Sequence, residues 1–238
     1  MQLRYSGLRH PATQGTLRRQ RQYKANTMSR PGSSARLEFP DDETVHPWLS
    51  GLLEAYHITD TGIAEGIRRE EHQDRRLACG KGCAACCRAH TTIPVYPLEL
   101  VGISWYVTEK LAGEIRGQLQ QQLRNPGNRP GCPFLVKDVC AIHPLRPMAC
   151  RQFNVFDKVC AEGEDAWYTR RRDVLTPVRK FTDQAFDVML PFYGIHRKAE
   201  RRKALREGAV HRLARVLRDC NWTSLAEKMA AYDARKTG

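Results

Sequence analysis

Cysteine is the residue type in this chain with the clearest capacity for chemistry. Eight of the nine cysteines lie between residues 79 and 160, and Cys220 stands apart. The clustered residues are Cys79, Cys83, Cys86, Cys87, Cys132, Cys140, Cys150 and Cys160. Cysteine thiolates bind zinc and iron–sulfur clusters, thiols pair as disulfides, and free thiols also fill cores. The pattern must decide among these three uses.

The surroundings of the cysteines favour metal binding over the two other uses. Disulfide frameworks are typical of small secreted chains, and no segment resembles a secretory signal peptide. Thiols that only fill a core would not cluster as C-x3-C-x2-C-C among Gly, Lys and Arg. We therefore expect a metal-binding protein of the cytoplasm, where thiols stay reduced.

The spacing of the first four cysteines has geometric content. On a helix they would share a face of about 100°, but the outer two would lie about 12 Å apart. Gly80 and Gly82 let Cys79 curl back in a loop before a helix that begins near Cys83. Lys81 and Arg88 favour the anionic form that binds metal. The first four cysteines are therefore expected to converge.

The later cysteines are expected to close the site. Cys132 and Cys140 flank a predicted hairpin that turns at Lys137–Asp138, and Cys150 follows a proline-rich turn. Eight thiolates exceed the four ligands of one tetrahedral ion, so the sequence predicts two sites or one polynuclear centre. The adjacent Cys86 and Cys87 diverge and would serve neighbouring metals.

These motifs resemble the bacterial cysteine-cluster family of the YkgJ type. The resemblance covers about residues 79–160 and rests on Cys79-x3-Cys83-x2-Cys86-Cys87, Cys132-Pro-Phe-Leu, Cys140-x-Ile-His, Arg146-Pro-x-x-Cys150-Arg151 and Cys160. It implies a zinc- or iron-chelating domain that uses all eight cysteines. A larger relative, the flagellin lysine methylase, carries a similar cluster, which indicates iron–sulfur chemistry.

The donor set leaves the metal open. All-cysteine ligation suits both zinc and iron–sulfur clusters. Zinc ribbons use separated C-x2-C pairs, and here only Cys83-x2-Cys86 has that form, so an iron–sulfur centre is favoured over zinc. The spacing of Cys79, Cys83 and Cys86 also matches radical S-adenosylmethionine enzymes, but the strand–helix alternation of their barrel is missing.

Three residues near the cysteines are expected to support the centre rather than to bind the metal. His143 follows Cys140 by three residues and is a candidate hydrogen-bond donor behind the ligands, with direct ligation as the alternative. Arg146 and Arg151 are expected to donate hydrogen bonds to sulfurs or to the hairpin backbone, because a buried anionic centre requires compensating charge.

The function classes that remain are a binding module and an enzyme. As a module, the protein would act in redox chemistry, sensing or metal handling, and a structural zinc protein is the alternative. As an enzyme, it would modify protein side chains in the manner of the methylase relative. No phosphate-binding glycine loop or Gly-x-Ser-x-Gly motif supports catalysis independently. The expected partners are metal ions; a protein partner stays open.

The positioning elements are predicted to be mainly helical, with one small β-hairpin. Helices are expected at 48–56, 60–76, 98–123 with a break near Thr108, 173–190, 197–219 and 225–235. Asp60 or Thr61 is the expected cap of the second. A capping box over Ser224–Glu227 would begin the last of them. No internal repeat and no series of βαβ units is present. The fold class is a cysteine-rich, metal-centred single domain with a helical C-terminal extension.

Composition and charge complete the outline of 238 residues. The formal net charge is +13, hydrophobic residues make up 41%, and no apolar run is long enough to span a membrane. We predict a basic, disordered tail at 1–40, a cysteine domain at 41–165 and a basic helical region at 166–238 that packs on it. Residues 170–218 hold a second basic block; without interleaved aromatic residues nucleic-acid binding is the less favoured use of this block, and its charge leaves that use open.

Overall fold

The computed structural model describes residues 35–127 and 131–237. Residues 1–34 of the predicted basic tail lie outside the described residues. The end of that tail is part of the fold, because Leu37 and Phe39 pack against the hydrophobic core. Arg36 forms an ion pair of 2.6 Å with Glu43. The folded part of the chain therefore includes residues before 40.

The described chain is mainly helical with two small antiparallel sheets, which confirms the predicted fold class. The helices are α1 (Pro40–Val45), α2 (Pro47–Glu71), α3 (Ala85–Ala89), α4 (Pro97–Trp105), α5 (Glu114–Arg124), α6 (Met148–Gln152), α7 (Ala166–Thr169), α8 (Arg179–Met189), α9 (Lys198–Arg206) and α10 (Trp222–Thr237). The strands are β1 (Pro94–Val95), β2 (Leu135–Val136), β3 (Val139–Cys140) and β4 (Arg215–Val216). Short 3₁₀ turns cover His143–Leu145, Arg171–Asp173, Leu190–Tyr193, Ala209–Leu213 and Leu217–Asp219.

Helix α2 is one continuous helix of 25 residues, so the prediction of two shorter helices is wrong. The Thr61 hydroxyl donates to the carbonyl of His57 within the helix, at 2.9 Å, and does not cap a new one. Asp60 forms an ion pair with Arg151 instead of serving as a cap. The polar residues that suggested a boundary therefore have other partners.

Helices α2 and α8 pack closely at small residues of α2. A Cβ atom on Gly62 would lie 2.5 Å from Cβ of Phe181, so only glycine permits this approach. The apolar face of α8 buries Ala185, Phe186 and Met189. We call this closely packed helix pair the helical frame; the shorter segments that carry the cysteines are attached to it.

The predicted helix over 98–123 is interrupted, as expected, close to Thr108. Helix α4 continues into a single π-helical turn over Tyr106–Lys110, and the chain then reverses at Gly113, where φ is +73°. Helix α5 follows and buries Leu119 and Leu123. The predicted hairpin is confirmed: β2 pairs with β3, and Lys137 and Asp138 adopt the positive φ values of a tight turn.

The C-terminal region corrects the prediction of one helix over 197–219. Helix α9 ends at Arg206 because Gly208 adopts a left-handed conformation, with φ of +61°. After a 3₁₀ turn, Arg215 and Val216 pair with Val95 and Pro94 as the second sheet. Pairing between distant segments thus replaced a helix that the local pattern favoured.

The helices predicted over 173–190 and 225–235 exist with shifted boundaries. Helix α8 begins at Arg179 rather than near residue 173, because Arg171–Asp173 forms a 3₁₀ turn. Helix α10 begins at Trp222, and the side-chain oxygen of Asn221 accepts a hydrogen bond from the Ser224 amide at 3.2 Å. Asn221 therefore takes the capping role that was expected of Ser224.

One main hydrophobic core joins residues from α2 to α10, from Leu49 to Met229. Phe134 of the hairpin is fully buried in it and stacks edge-on against Trp222, with ring centroids 4.6 Å apart. The predicted cysteine domain and the predicted C-terminal region both contribute to this core. Over residues 35–127 and 131–237, the helices lack the combination of length and apolar character that crossing a bilayer requires.

Candidate metal centre

The eight clustered cysteines lie on short elements attached to the helical frame. Cys86 and Cys87 are on α3, Cys140 is on β3 and Cys150 is on α6. Backbone hydrogen bonds join these segments. The amide of Cys132 donates to the carbonyl of Cys87 at 2.7 Å, which attaches the hairpin to α3.

Three cysteines form a group that we call the loop group: Cys79, Cys83 and Cys160. The thiols of Cys79 and Cys160 each interact electrostatically with those of Cys83 and Cys86. Cys79 and Cys160 also pack against a small apolar cluster centred on Val155. The amide of Val155 donates to the sulfur of Cys79 at 3.3 Å, a contact that would stabilise a thiolate there.

Three other cysteines form a second group, the core group: Cys132, Cys140 and Cys150. The thiol of Cys150 interacts electrostatically with those of Cys132 and Cys140. Cys132 and Cys140 pack against the main hydrophobic core. The two groups therefore rest on different apolar clusters.

Cys86 lies between the two groups. Its thiol interacts with Cys79 and Cys160 of the loop group. It also interacts with all three members of the core group. The adjacent Cys87 thiol raises the pKa of Cys86, and burial adds to the effect. Cys86 is thus the thiol that interacts with members of both groups.

The environment of the thiols opposes their ionisation in the absence of a cation. Burial raises the pKa of Cys79 to about 11 and that of Cys132 to about 12. Burial likewise raises the pKa of Cys140 and Cys150, and neighbouring thiols add to the effect. A bound metal ion inverts this balance, because its positive charge favours thiolates.

The eight thiols are chemically suitable ligands for a thiolate-bound metal. Their side chains, however, stand far apart. In the described part of the chain, no three His, Cys, Asp or Glu side chains stand close enough together to hold one ion. Coordination would require the thiol side chains to turn towards one another. They lie on loops, two five-residue helices and one two-residue strand, which are the elements that can adjust most easily.

Arg151 is buried and holds the turn that precedes Cys150. Its guanidinium donates to the carbonyls of Arg146, at 3.0 Å, and of Pro144. It also forms an ion pair of 2.7 Å with Asp60 and stacks over the Tyr56 ring at 4.1 Å. These two hydrogen bonds reach the backbone of the turn that follows the hairpin. Arg151 thus fixes the turn that leads to Cys150.

His143 and Arg146 contact each other. Nη1 of Arg146 lies 2.8 Å from Nε2 of His143. Desolvation, with the positive charges of Arg146 and Arg151, lowers the pKa of His143 to about 4, so its ring is neutral near pH 7. The contact places the His143 ring against Arg146, in the turn that leads to Cys150.

Two groups that sequence reasoning left without a role also support the cysteine segments. His90, the residue after α3, is buried, and its Nε2 lies 3.1 Å from Oδ1 of Asp165. The ring meets that of Phe153 edge-on, with centroids 4.2 Å apart. Because Asp165 caps α7, this pair joins the helix of Cys86 to the segment after Cys160. In the sequence this pair was visible only as an isolated histidine, His90, and an acidic stretch that includes Asp165.

Glu99 is the other missed residue, and it is fully buried. Its Oε1 accepts a hydrogen bond of 2.7 Å from the amide of Met148, at the start of α6. Its Oε2 accepts one of 2.9 Å from the amide of Tyr96, at the start of α4. One carboxylate thereby caps two helices and positions the helix that carries Cys150. Its location three residues after Tyr96 was a signal for a cap.

The stability of the protein is expected to depend on pH through Glu99. Burial raises its pKa from 4.5 to about 7. The folded state therefore holds a proton that the unfolded state has released, and stability is lost as the pH rises from about 5 to about 7.5. Urea unfolding at both pH values should show a loss of about 2 kcal/mol from this group. Glu99→Gln should remove that part of the pH dependence, and an unchanged slope would contradict the assignment.

Gly131 permits the close contact between the hairpin and α3. Its φ is +86°, and a Cβ atom there would lie 2.6 Å from the carbonyl oxygen of Cys87. We expect Gly131→Ala to destabilise the fold by about 2 kcal/mol and to lower the metal content. Gly127→Ala is the matched control, because Gly127 also has a positive φ but has open space around it. Equal effects of the two changes in thermal unfolding and metal analysis would argue against the close contact.

Comparison with known proteins agrees with the location of this centre. Residues 78–173 match the family model CxxCxxCC, described as a "putative zinc- or iron-chelating domain". No curated protein and no solved structure shows significant similarity to the chain. The matched segment contains all eight clustered cysteines. The resemblance to the cysteine-cluster family is thereby confirmed for residues 78–173, and the match supports metal binding by this domain.

Proposed function

We propose that this protein holds an iron–sulfur-type polynuclear centre through its eight clustered cysteines and serves in redox chemistry, sensing or metal handling. The observation that carries the proposal is that the Cys86 thiol interacts electrostatically with thiols of both cysteine groups. A shared thiol between two groups suits a centre with several metal atoms better than a single ion. When bound, such a centre would supply reversible one-electron transfer.

The residues around the cysteines have distinct proposed roles. The loop group, the core group and the vicinal pair on α3 would provide the ligands. The Val155 amide would donate to the Cys79 sulfur and lower its negative charge. Arg151 and Glu99 would fix the start of α6 and hence Cys150. His143 and Arg146 would stand behind the ligands.

Zinc is the second candidate, and one observation favours it. Each group of three cysteines becomes a set of four when Cys86 joins one group and Cys87 the other. Four thiolates complete a structural zinc site, so the same arrangement could hold two zinc ions. In that case the centre would be structural, and function would reside elsewhere on the surface.

Metal analysis of the protein purified without oxygen separates the two candidates. The expected result is a brown protein with iron and acid-labile sulfide in nearly equal amounts and with visible absorption from sulfur-to-iron charge transfer. A colourless protein with about two zinc ions per chain would support the structural zinc site instead. A protein without bound metal would contradict both.

A further inference from the structure

Exposed cations are concentrated on α9 and on the segment that follows it. Between residues 197 and 218 the chain has nine Lys and Arg residues and only two acids. Eight of these nine cations are exposed, and we call five of them the basic face: Lys198, Arg202 and Arg206 on α9, and Arg212 and Arg215 beyond it. The cysteine centre makes no use of this surface in the proposed function.

The orientation of α9 fixes the three cations on it. Lys198, Arg202 and Arg206 follow one another at intervals of four, so they lie on one side of the helix about 6 Å apart. Ala204 on the other side is buried. Arg201 forms an ion pair of 3.1 Å with Asp187 of α8, which ties α9 to the frame.

The segment after α9 is fixed as well. Nδ1 of His211 lies 2.9 Å from the hydroxyl oxygen of Tyr96. Arg215 belongs to β4, which pairs with β1. The cations beyond α9 thus also project from backbone held against the core.

The nearby acids do not neutralise the basic face. Glu200 lies 3.8 Å from Arg197, and Glu207 lies 4.0 Å from Lys203, both outside the face. Within residues 35–127 and 131–237, the salt bridges do not include any of the five cations of the basic face. The positive electrostatic potential of the basic face is therefore free to attract a polyanion.

We infer that the basic face binds the phosphate backbone of a nucleic-acid duplex. Four of its five cations are arginine, whose planar guanidinium binds phosphate with two hydrogen bonds. Along the stripe of about 12 Å on α9, a duplex presents about seven phosphates. This contact is independent of sequence, since it reaches the backbone and not the base edges.

The chemistry of the face favours a duplex over other polyanions. Residues 197–218 contain no Phe, Tyr or Trp, so the stacking platform that binds single strands is missing there. The apolar side of α9 faces the protein core, so this helix cannot insert into a lipid surface. Carboxylates of an acidic protein could also pair with the arginines, so competition with poly-glutamate is part of the test.

Fluorescence anisotropy with a short labelled DNA duplex tests this inference. The full chain should bind the duplex at about 50 mM salt, with affinity that falls steeply towards about 200 mM salt. Arg202→Glu/Arg206→Glu should weaken binding by about tenfold or more and reduce the salt slope by about 2. The control Arg124→Glu/Arg235→Glu changes the net charge equally at exposed sites on α5 and α10. It should have a much smaller effect.

Several outcomes would overturn the inference. One is equal weakening by the two double variants, which would mean that net charge alone drives binding. Others are tighter binding of the single strand of the same sequence, and displacement of the duplex by poly-glutamate as readily as by unlabelled duplex. Because the four substituted residues are exposed, matching circular dichroism and melting temperatures should confirm that both variants fold.

Discussion

Replacement of Cys86 by serine is expected to remove most of the bound metal. Its thiol has neighbours in both cysteine groups, so its loss would affect the whole centre. The metal content should fall below about half of the wild-type value, because binding energy at thiolate sites is large and depends on a full ligand set. The melting temperature should fall towards that of the wild-type protein stripped of metal.

Two other cysteine variants give the comparison for Cys86. Cys83 is exposed and its thiol interacts with the loop group, so Cys83→Ser should lose less metal than Cys86→Ser. Cys220 lies outside the cluster and donates to the carbonyl of Val216 at 3.4 Å, so Cys220→Ser should keep the full metal content. Elemental analysis of the three proteins should give this order. Full metal content in Cys86→Ser would refute its place between the groups.

Replacement of Arg151 by alanine is expected to cause the largest loss of stability among the non-cysteine variants. The change leaves two carbonyl groups of a buried turn without their donor and leaves Asp60 without its cation. It also removes the guanidinium that covers the Tyr56 ring. We expect the free energy of unfolding to fall by about 3–5 kcal/mol.

An exposed arginine provides the control for Arg151. Arg179 forms an ion pair of 3.4 Å with Asp183 at the surface, and Arg179→Ala should cost less than about 1 kcal/mol. Urea unfolding of both variants, with metal content measured on the same samples, separates fold stability from metal loss. A cost below about 1 kcal/mol for Arg151→Ala would mean that water replaces the lost hydrogen bonds.

Local sequence patterns predicted much of the fold, and long-range contacts explain where they did not. The hairpin was predictable because Lys137 and Asp138 mark a turn between apolar residues. The prediction of one helix over 197–219 was wrong because β4 pairs with β1, which lies about 120 residues earlier in the chain. The continuity of α2 was missed because Asp60 has its partner in Arg151, far along the sequence.

The candidate site shows the same division. Residue type and spacing predict the donor set, which stays a prediction, and the family match covers the segment that contains all eight cysteines. They could not predict the separation into two groups. That separation depends on which apolar cluster each segment packs against. It also depends on isolated β-bridges between distant segments, such as that between Val155 and Val174. The position of Glu99 three residues after Tyr96 signals only the local cap, whereas its bond to the Met148 amide joins segments far apart in the sequence.

The backbone contact between Cys132 and Cys87 has a consequence for the loading of the centre. It joins the hairpin of the core group to the helix that also serves the loop group. Metal bound by one group would order α3, so the second group would meet a lower entropic cost when it binds. Loading is therefore expected to be cooperative. At half the saturating amount of metal, filled and empty chains should predominate over half-filled ones.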